Sequence, residues 1–225
     1  VQSTTGVQGI EPVSASVLAE TMDCLQTDLP PAGVKIGMLG TAAAVEVVAA
    51  YIDRLRKAVE CPHIVLDPVI RSSSGRELLD PKGVDLLKER LLPSVDWVTP
   101  NLAELSELAG TRVEAAAEVV SAARILQARY PSLNVLATGG HLDPPDDLIL
   151  IAGAEPQWIS GEHIESRSTH GTGCALSSAF LCRLTTGDTP YEAATNAKRY
   201  VAEAIRRAAP IGYGNGPLNH LWPLR

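Results

Sequence analysis

Short apolar runs alternate with long helical patterns along most of the chain, and this alternation limits the possible folds more than any other feature. The apolar runs that have the character of buried strands lie at residues 34–39, 63–69, 97–100 and 134–138. The helical patterns lie at residues 13–27, 41–59, 81–91, 102–108 and 113–130. Strands that are apolar throughout and separated by helices are typical of parallel sheets covered on both faces. We therefore predict an α/β protein with three layers, α/β/α, around a mostly parallel sheet.

The pattern changes after Gly139-Gly140. Two short runs at 148–151 and 157–159 are separated by Gly153-Ala154-Glu155-Pro156, which predicts a hairpin. Two more helical patterns follow, at 174–186 and 190–208. The chain has 225 residues without a repeat or a long linker, and this length suits one domain. We expect residues 1–225 to form a single domain.

The composition excludes several classes of protein. The formal net charge is −7, whereas a nucleic-acid-binding protein needs a basic face. No apolar run reaches the roughly 18 residues of a membrane span, so we expect no membrane contact and a cytoplasmic location. The cysteines are widely spaced, without the pairs of a zinc site, and we expect reduced thiols. They are Cys24, Cys61, Cys174 and Cys182.

Polar and glycine residues follow each of the four predicted parallel strands. They are Gly37-Met38, Asp67-Pro68, Thr99-Pro100-Asn101 and Gly139-Gly140-His141. Any one of these groups is explained by the needs of a turn. Together they matter more, because ligands of open parallel sheets bind outside the carboxyl ends of the strands. The sequence predicts a ligand site at this edge.

The strongest local motif is Thr169-His170-Gly171-Thr172-Gly173-Cys174, which leads directly into a helix. The glycines allow the backbone N–H groups of Thr172, Gly173 and Cys174 to point outward together at the positive end of the helix. This arrangement suits the charge of a transferring phosphoryl group. A helix N-terminus also lowers a thiol pKa, so Cys174 could accept a proton from a substrate hydroxyl. The simpler interpretation is a glycine-rich helix cap with a small buried cysteine.

Asn101 and Glu104 form a second motif. Asn101 can cap the next helix and Glu104 then occupies its third position, so a capping box alone would explain the pair. Alternatively, Glu104 holds a hydrated Mg²⁺ near phosphates, with Asp67 as a second carboxylate. The chain has no G-x-x-x-x-G-K-[ST] sequence, which excludes a Walker-type site, and no G-x-G-x-x-G follows the first strand.

These motifs, taken in order, resemble the ribokinase-like superfamily and, within it, the hydroxymethylpyrimidine and hydroxymethylpyrimidine-phosphate kinases of thiamine biosynthesis. The resemblance covers nearly the whole chain. It rests on Val34 to Leu39, Leu66 to Val69, Thr99 to Leu102, Gly139 to His141, Thr169 to Cys174 and Gly214 to His220.

The resemblance implies ATP-dependent phosphorylation of 4-amino-5-hydroxymethyl-2-methylpyrimidine and then of its monophosphate, with Mg²⁺ as the cation, by a homodimer. It makes Cys174 the base and the turn of Gly171, Thr172 and Gly173 the anion hole. Glu104, with Asp67, would be near the metal. The pyrimidine would contact Gln2, Met38 and Val69. The residues on the ATP side would be Asn101, Thr138, Gly140, Thr172 and Gly214.

Two departures from the family pattern leave alternatives open. Nothing corresponds to the family's opening strand and its Gly-rich loop, and Thr138 stands where the family usually has Lys, a loss that Arg71 could offset. A pyridoxal or pyridoxine kinase of the same fold is the nearest alternative, and a thiazole kinase fits the motifs less well. A non-catalytic pyrimidine or nucleotide sensor is the alternative from another class.

Overall fold

A computed structural model describes residues 1–57, 63–72 and 75–224. The strands are β1 (Gln2–Ser3), β2 (Gly6–Val7), β3 (Gly33–Ile36), β4 (His63–Leu66), β5 (Trp97–Val98), β6 (Asn134–Ala137), β7 (Asp147–Leu150) and β8 (Gln157–Ile159). The helices are α1 (Ala15–Asp28), α2 (Ala42–Leu55), α3 (Pro81–Leu86), α4 (Leu102–Ala109), α5 (Ala116–Arg129), α6 (Thr172–Thr185) and α7 (Pro190–Arg206). Cys61 and the predicted end of the second helix at Val59 lie outside the described residues.

The central sheet has the strand order β3-β4-β5-β6-β7-β8. The pairs from β3 to β6 are parallel, and β7 and β8 are added as an antiparallel hairpin. The first two strands pair with each other in a separate antiparallel hairpin. The predicted α/β fold with a mostly parallel sheet is confirmed, and so is the hairpin after Gly139-Gly140.

Helices cover both faces of this sheet. Val34 and Ile36 of β3 belong to the apolar cluster that includes the buried residues of α2, α4 and α5. Val65 of β4 faces the other way, into the cluster formed with α6 and α7. In that second cluster the rings of Trp97 and Phe180 meet edge to face, with centroids 4.9 Å apart. Successive residues of a strand point to opposite faces, so apolar strands require two helical layers.

Local signals set most of the element boundaries. Thr41 caps α2. Asp80 caps α3 and Thr189 caps α7, and both of these helices have proline in the first turn. The strand predicted at 63–69 ends at Leu66, because Pro68 has no N–H group to donate to a ladder. The helix predicted at 81–91 is α-helical only to Leu86 and continues as a π-helical turn, Leu87–Leu91. No helix in the described part of the chain is long and apolar enough to cross a membrane.

Candidate active site

The turn before α6 presents unpaired backbone N–H groups. Gly171 has φ +86°, a left-handed conformation that favours glycine, and it is the N-cap residue of α6. Thr172, Gly173 and Cys174 form the first turn of the helix, where backbone N–H groups have no helical acceptor. The segment before the turn is fixed by Gly216, whose carbonyl accepts the His170 N–H at 3.0 Å. The predicted geometry, a left-handed glycine followed by the free N–H groups of a helix N-terminus, is therefore present at this turn.

Cys174 is exposed at the mouth of a cleft of about 670 Å³, which His170, Tyr200 and His220 also line. The pKa of the thiol is raised, first by the surroundings that desolvate it and then by the negative charge of Asp67; Lys35 acts in the opposite direction. The prediction of a lowered thiol pKa is therefore wrong. Desolvation, together with the negative charges of Asp67 after β4 and Glu104 on α4, outweighs the effect of the helix terminus.

Asp67 follows β4 and is 5% exposed. Its Oδ2 atom lies 3.1 Å from the ammonium of Lys35 and accepts a hydrogen bond from the Ser177 hydroxyl at 3.2 Å. Ser177 lies on α6, one turn after Cys174. Asp67 is thus brought beside the thiol, as the strand-end pattern predicts. Sequence reasoning missed Lys35 and Ser177, although a lysine within an apolar strand was a visible signal for the first.

Glu104 is the second buried acid of the site, with 8% of its surface exposed. It completes a capping box, because the Asn101 side chain accepts the Glu104 N–H and the Glu104 carboxylate accepts the Asn101 N–H, each at 2.9 Å. Burial raises the pKa of Glu104 to about 7; backbone N–H groups of Asn101 and Ile70 oppose the rise, and the charge of Asp67 adds to it. Asn101 and Glu104 therefore do form the capping box, and the Glu104 carboxyl group still lies near Asp67.

The donor set suits a hydrated Mg²⁺. Two carboxyl groups, Asp67 and Glu104, are near enough for the charge of one to raise the pKa of the other. Among the described residues no group of three or more His, Cys, Asp and Glu side chains could enclose a metal ion. Mg²⁺ takes few carboxylates and keeps several waters, so a pair of carboxyl groups without a cage is compatible with it.

The turn that contains Gly139 and Gly140 lies at the end of β6. The Gly139 N–H donates to the Asp147 carboxylate at 2.9 Å, and Asp147 forms an ion pair with Lys198 at 2.9 Å. A Cβ on Gly139 would lie 1.8 Å from the Asp146 carbonyl oxygen, whereas a Cβ on Gly140 would meet nothing within 4 Å. Thr138 precedes this turn and donates its backbone N–H to the Pro100 carbonyl at 2.9 Å. This pairing places Thr138 next to Asn101.

Gln2 reaches the site through the N-terminal hairpin. Its Nε2 atom lies 3.3 Å from Nε2 of His170, the residue before the turn that begins α6. Arg76 holds the hairpin by donating to the carbonyls of Val7 at 3.1 Å and Gln8 at 2.9 Å. Gly214 packs against the same hairpin and donates to the Thr4 hydroxyl at 3.2 Å.

The remaining candidates lie on loops at the carboxyl edge of the sheet. Met38 follows β3 and is 48% exposed, and Val69 follows β4 and is half-buried. The guanidinium of Arg71 is exposed and lies 4.0 Å from Glu77. The structure thus brings Cys174, Asp67 and Glu104 together and places Gln2 beside His170, whereas Gly214 contacts the hairpin that bears Gln2.

Comparison with known proteins gives consistent matches. A family model described as phosphomethylpyrimidine kinase matches residues 1–219. The thiamine biosynthesis bifunctional protein ThiED of Geobacter sulfurreducens is 40% identical over 221 residues, which are 98% of this chain and 44% of that protein. The hydroxymethylpyrimidine/phosphomethylpyrimidine kinase of Streptomyces coelicolor is 36% identical over 223 residues, 99% of this chain and 81% of the relative.

Solved structures agree on the fold. A phosphomethylpyrimidine kinase from Clostridium difficile superposes with a TM-score of 0.76 at 28% identity, covering 91% of this chain and 82% of the other. A pyridoxal kinase from Staphylococcus aureus, in complex with AMP-PCP and pyridoxal, superposes with a TM-score of 0.84 at 25% identity, covering 97% and 78%. The chain therefore spans less than half of the bifunctional relative and about four fifths of the other proteins named here.

Proposed function

The chain belongs to the phosphomethylpyrimidine kinase family, as its motifs predict, and from this premise we propose its reaction. It transfers the γ-phosphoryl group of ATP to the hydroxymethyl group of 4-amino-5-hydroxymethyl-2-methylpyrimidine, and then phosphorylates the resulting monophosphate, in thiamine biosynthesis. The observation that carries the proposal is the turn of Gly171 to Cys174, with its free N–H groups and exposed thiol beside Asp67 and Glu104.

The turn supplies the main electrostatic contribution. In phosphoryl transfer, negative charge spreads over the equatorial oxygens of the migrating group. The N–H groups of Thr172, Gly173 and Cys174 are fixed by the helix before the substrate arrives, so they stabilise this charge without reorganisation. Gly171 is necessary because a residue with a Cβ is strained at its φ of +86°.

Cys174 takes the proton that the reaction releases. The substrate hydroxyl oxygen forms a bond to the γ-phosphorus, the bond from that phosphorus to the bridging oxygen breaks, and ADP leaves with the electron pair. The Cys174 side chain accepts the hydroxyl proton as a thiolate, which forms when the thiol gives its own proton to the solvent. Because the transition state is loose, the hydroxyl need not lose its proton before attack, and a thiol with a raised pKa is a stronger base once it ionises.

Glu104 would hold Mg²⁺ through water, with Asp67 as the second carboxylate. A bound Mg²⁺ supplies positive charge that neutralises the phosphate oxygens. On the ATP side, Asn101, Thr138 and Gly140 lie along the edge formed by β5 and β6. Thr138 brings no positive charge to this edge, so we expect a weaker hold on ATP phosphate than a lysine would give.

Gln2 would read the aminopyrimidine edge, since its amide can both donate and accept a hydrogen bond. Met38 and Val69 would form the walls of the ring site. A kinase that consumes ATP in biosynthesis is expected in the cytoplasm, and the family resemblance suggests a homodimer.

A pyridoxal kinase is the second candidate, because the pyridoxal kinase from Staphylococcus aureus superposes with a TM-score of 0.84. Both substrates are hydroxymethyl-substituted aromatic rings, and both reactions would use the same anion-binding turn. Values of kcat/KM measured side by side for the pyrimidine, pyridoxal and pyridoxine separate the two functions.

The decisive experiment follows ADP release by the purified protein with ATP, Mg²⁺ and the hydroxymethylpyrimidine. We expect Cys174→Ala to lose most of kcat while substrate binding, measured by calorimetry, persists. Cys182→Ala, which changes another exposed cysteine of α6, is the matched control and keeps kcat. Absence of turnover in the wild-type protein, with ligand binding intact, would instead support the non-catalytic sensor.

A further inference from the structure

Lys35 carries a charge on a strand face that packs against α6. Gly33 lies on that face, because a Cβ there would come within 2.8 Å of the Leu181 side chain. Residues two apart on a strand share a face, so Lys35 points the same way. Its side chain is only 20% exposed. A lysine buried to this extent requires a partner that offsets the loss of hydration.

Two features direct its ammonium toward the carboxyl edge of the sheet. Asp67 on the neighbouring strand lies 3.1 Å from Nζ. Gly37 leaves the necessary space, because a Cβ at that position would lie 2.6 Å from Nζ of Lys35. The Ser177 hydroxyl holds the same Asp67 oxygen from α6. The pair is therefore fixed by groups from two strands and a helix, directly beside the helix turn that bears Cys174.

Lys35 supplies positive charge that opposes the acidic groups around the Cys174 thiol. The carboxyl groups of Asp67 and Glu104 both act on the thiol, and Lys35 opposes them. If Lys35 were neutral, a phosphate that approaches the turn would meet the uncompensated negative charge of Asp67. At the edge of a partly exposed site, one such charge changes the local concentration of an anion by roughly fivefold to tenfold.

Resting on the proposed function, we propose that Lys35 is a positioning residue for phosphoryl transfer. Its ammonium holds Asp67 beside the thiol and cancels the charge of that carboxylate, so that anionic phosphates can approach the turn of Gly171 to Cys174. Lys35 acts through Asp67, and the absence of a side chain at Gly37 leaves room for the Lys35 ammonium.

The first test measures the local potential without any turnover. Cys174 is alkylated with iodoacetate, an anion, and separately with iodoacetamide, which is neutral, and the modified peptide is quantified by mass spectrometry. The iodoacetate rate is divided by the iodoacetamide rate. Both reagents react with the thiolate, so the ratio does not depend on the fraction of thiol that is ionised, and it reports how strongly the site attracts an anion. We expect Lys35→Met to lower the ratio at Cys174 by about fivefold, the effect of one nearby charge, while the ratios at Cys24 and Cys182 stay constant.

Two further variants keep this test informative if Lys35→Met folds poorly. Gly37→Ala retains the lysine but displaces its ammonium, the far end of a flexible side chain, and should also lower the ratio. Lys35→Met/Asp67→Asn removes both charges and should restore the ratio to within about twofold of the wild type. An unchanged ratio at Cys174 in Gly37→Ala and in Lys35→Met would overturn the proposal.

The second test is kinetic. Lys35→Met should lower kcat/KM for ATP roughly tenfold. An unchanged kcat/KM for ATP in this variant would contradict the proposal. Arg56→Met is the control, since it breaks a half-buried ion pair with Asp96 beside the start of β4, at the opposite edge of the sheet. If the wild type shows no turnover, the kinase assignment fails, whereas the alkylation ratios still decide the role of Lys35.

Discussion

Glu104→Gln should make the metal-free protein more stable at alkaline pH. Burial raises the pKa of Glu104 from 4.5 to about 7, so the folded protein favours the protonated form. The contribution to stability is therefore complete below the unfolded pKa of 4.5 and is lost as the pH rises through about 7. A shift of this size corresponds to roughly 3 kcal/mol, at 1.36 kcal/mol for each pKa unit.

Glutamine keeps the geometry while removing the titration. Its amide oxygen can still accept the Asn101 N–H, so the capping box survives. Urea unfolding in EDTA at pH 5, 6, 7 and 8 gives the free energy of unfolding of both proteins. We expect the stability of Glu104→Gln relative to the wild type to increase with pH by about 2 to 3 kcal/mol over this range.

Glu118→Gln provides a matched control. Glu118 stands at the same position of α5 and also accepts backbone N–H groups, but it is exposed, and the N–H groups of Glu114 and Ala115 lower its pKa. Its stabilising effect is lost only as the pH falls below the range tested. The difference between Glu118→Gln and the wild type should thus stay level from pH 5 to 8. A level difference for Glu104→Gln as well would refute the inference that burial holds this carboxyl protonated.

Two further predictions concern how the site is held. Gly139→Ala should destabilise the protein by about 2 kcal/mol or more, because the new Cβ would overlap the Asp146 carbonyl; Gly140→Ala, whose Cβ meets open space, should change the melting temperature little, and equal losses in the two variants would contradict this. Arg76→Met frees the hairpin that carries Gln2, so KM for the pyrimidine should rise several-fold while KM for ATP is unchanged. A rise in both KM values would show that Arg76 supports the whole site.

The sequence predicts much of the fold because its strongest signals are local. Apolar runs without polar alternation, such as the one that became β4, indicate strands buried on both faces. The predicted boundaries of helices and strands are less accurate where contacts with distant segments of the same chain decide them. The first residues pair as β1 and β2 because Arg76 and Gly214 hold that hairpin from distant parts of the chain.

Within the candidate site, the features that depend on nearby residues are likewise predictable from the sequence, and those that depend on distant residues are not. The turn of Gly171 to Cys174 and the capping box of Asn101 and Glu104 were readable, because each depends on residues that are adjacent or one helical turn apart. Lys35 was missed as a site residue, since its partner Asp67 belongs to another strand and Gly37 matters only through the space it leaves.

The amino-acid sequence is sufficient to predict a parallel α/β sheet with its polar residues at one edge, and a helix with free N–H groups in its first turn. The electrostatics of that edge depend on the folded arrangement of the chain. The helix N-terminus predicts a lowered pKa for the Cys174 thiol, yet this pKa rises because neighbouring groups desolvate the thiol and Asp67 adds negative charge beside it. Helix caps act over one turn of chain, whereas burial and Coulomb interactions depend on groups that only folding brings together.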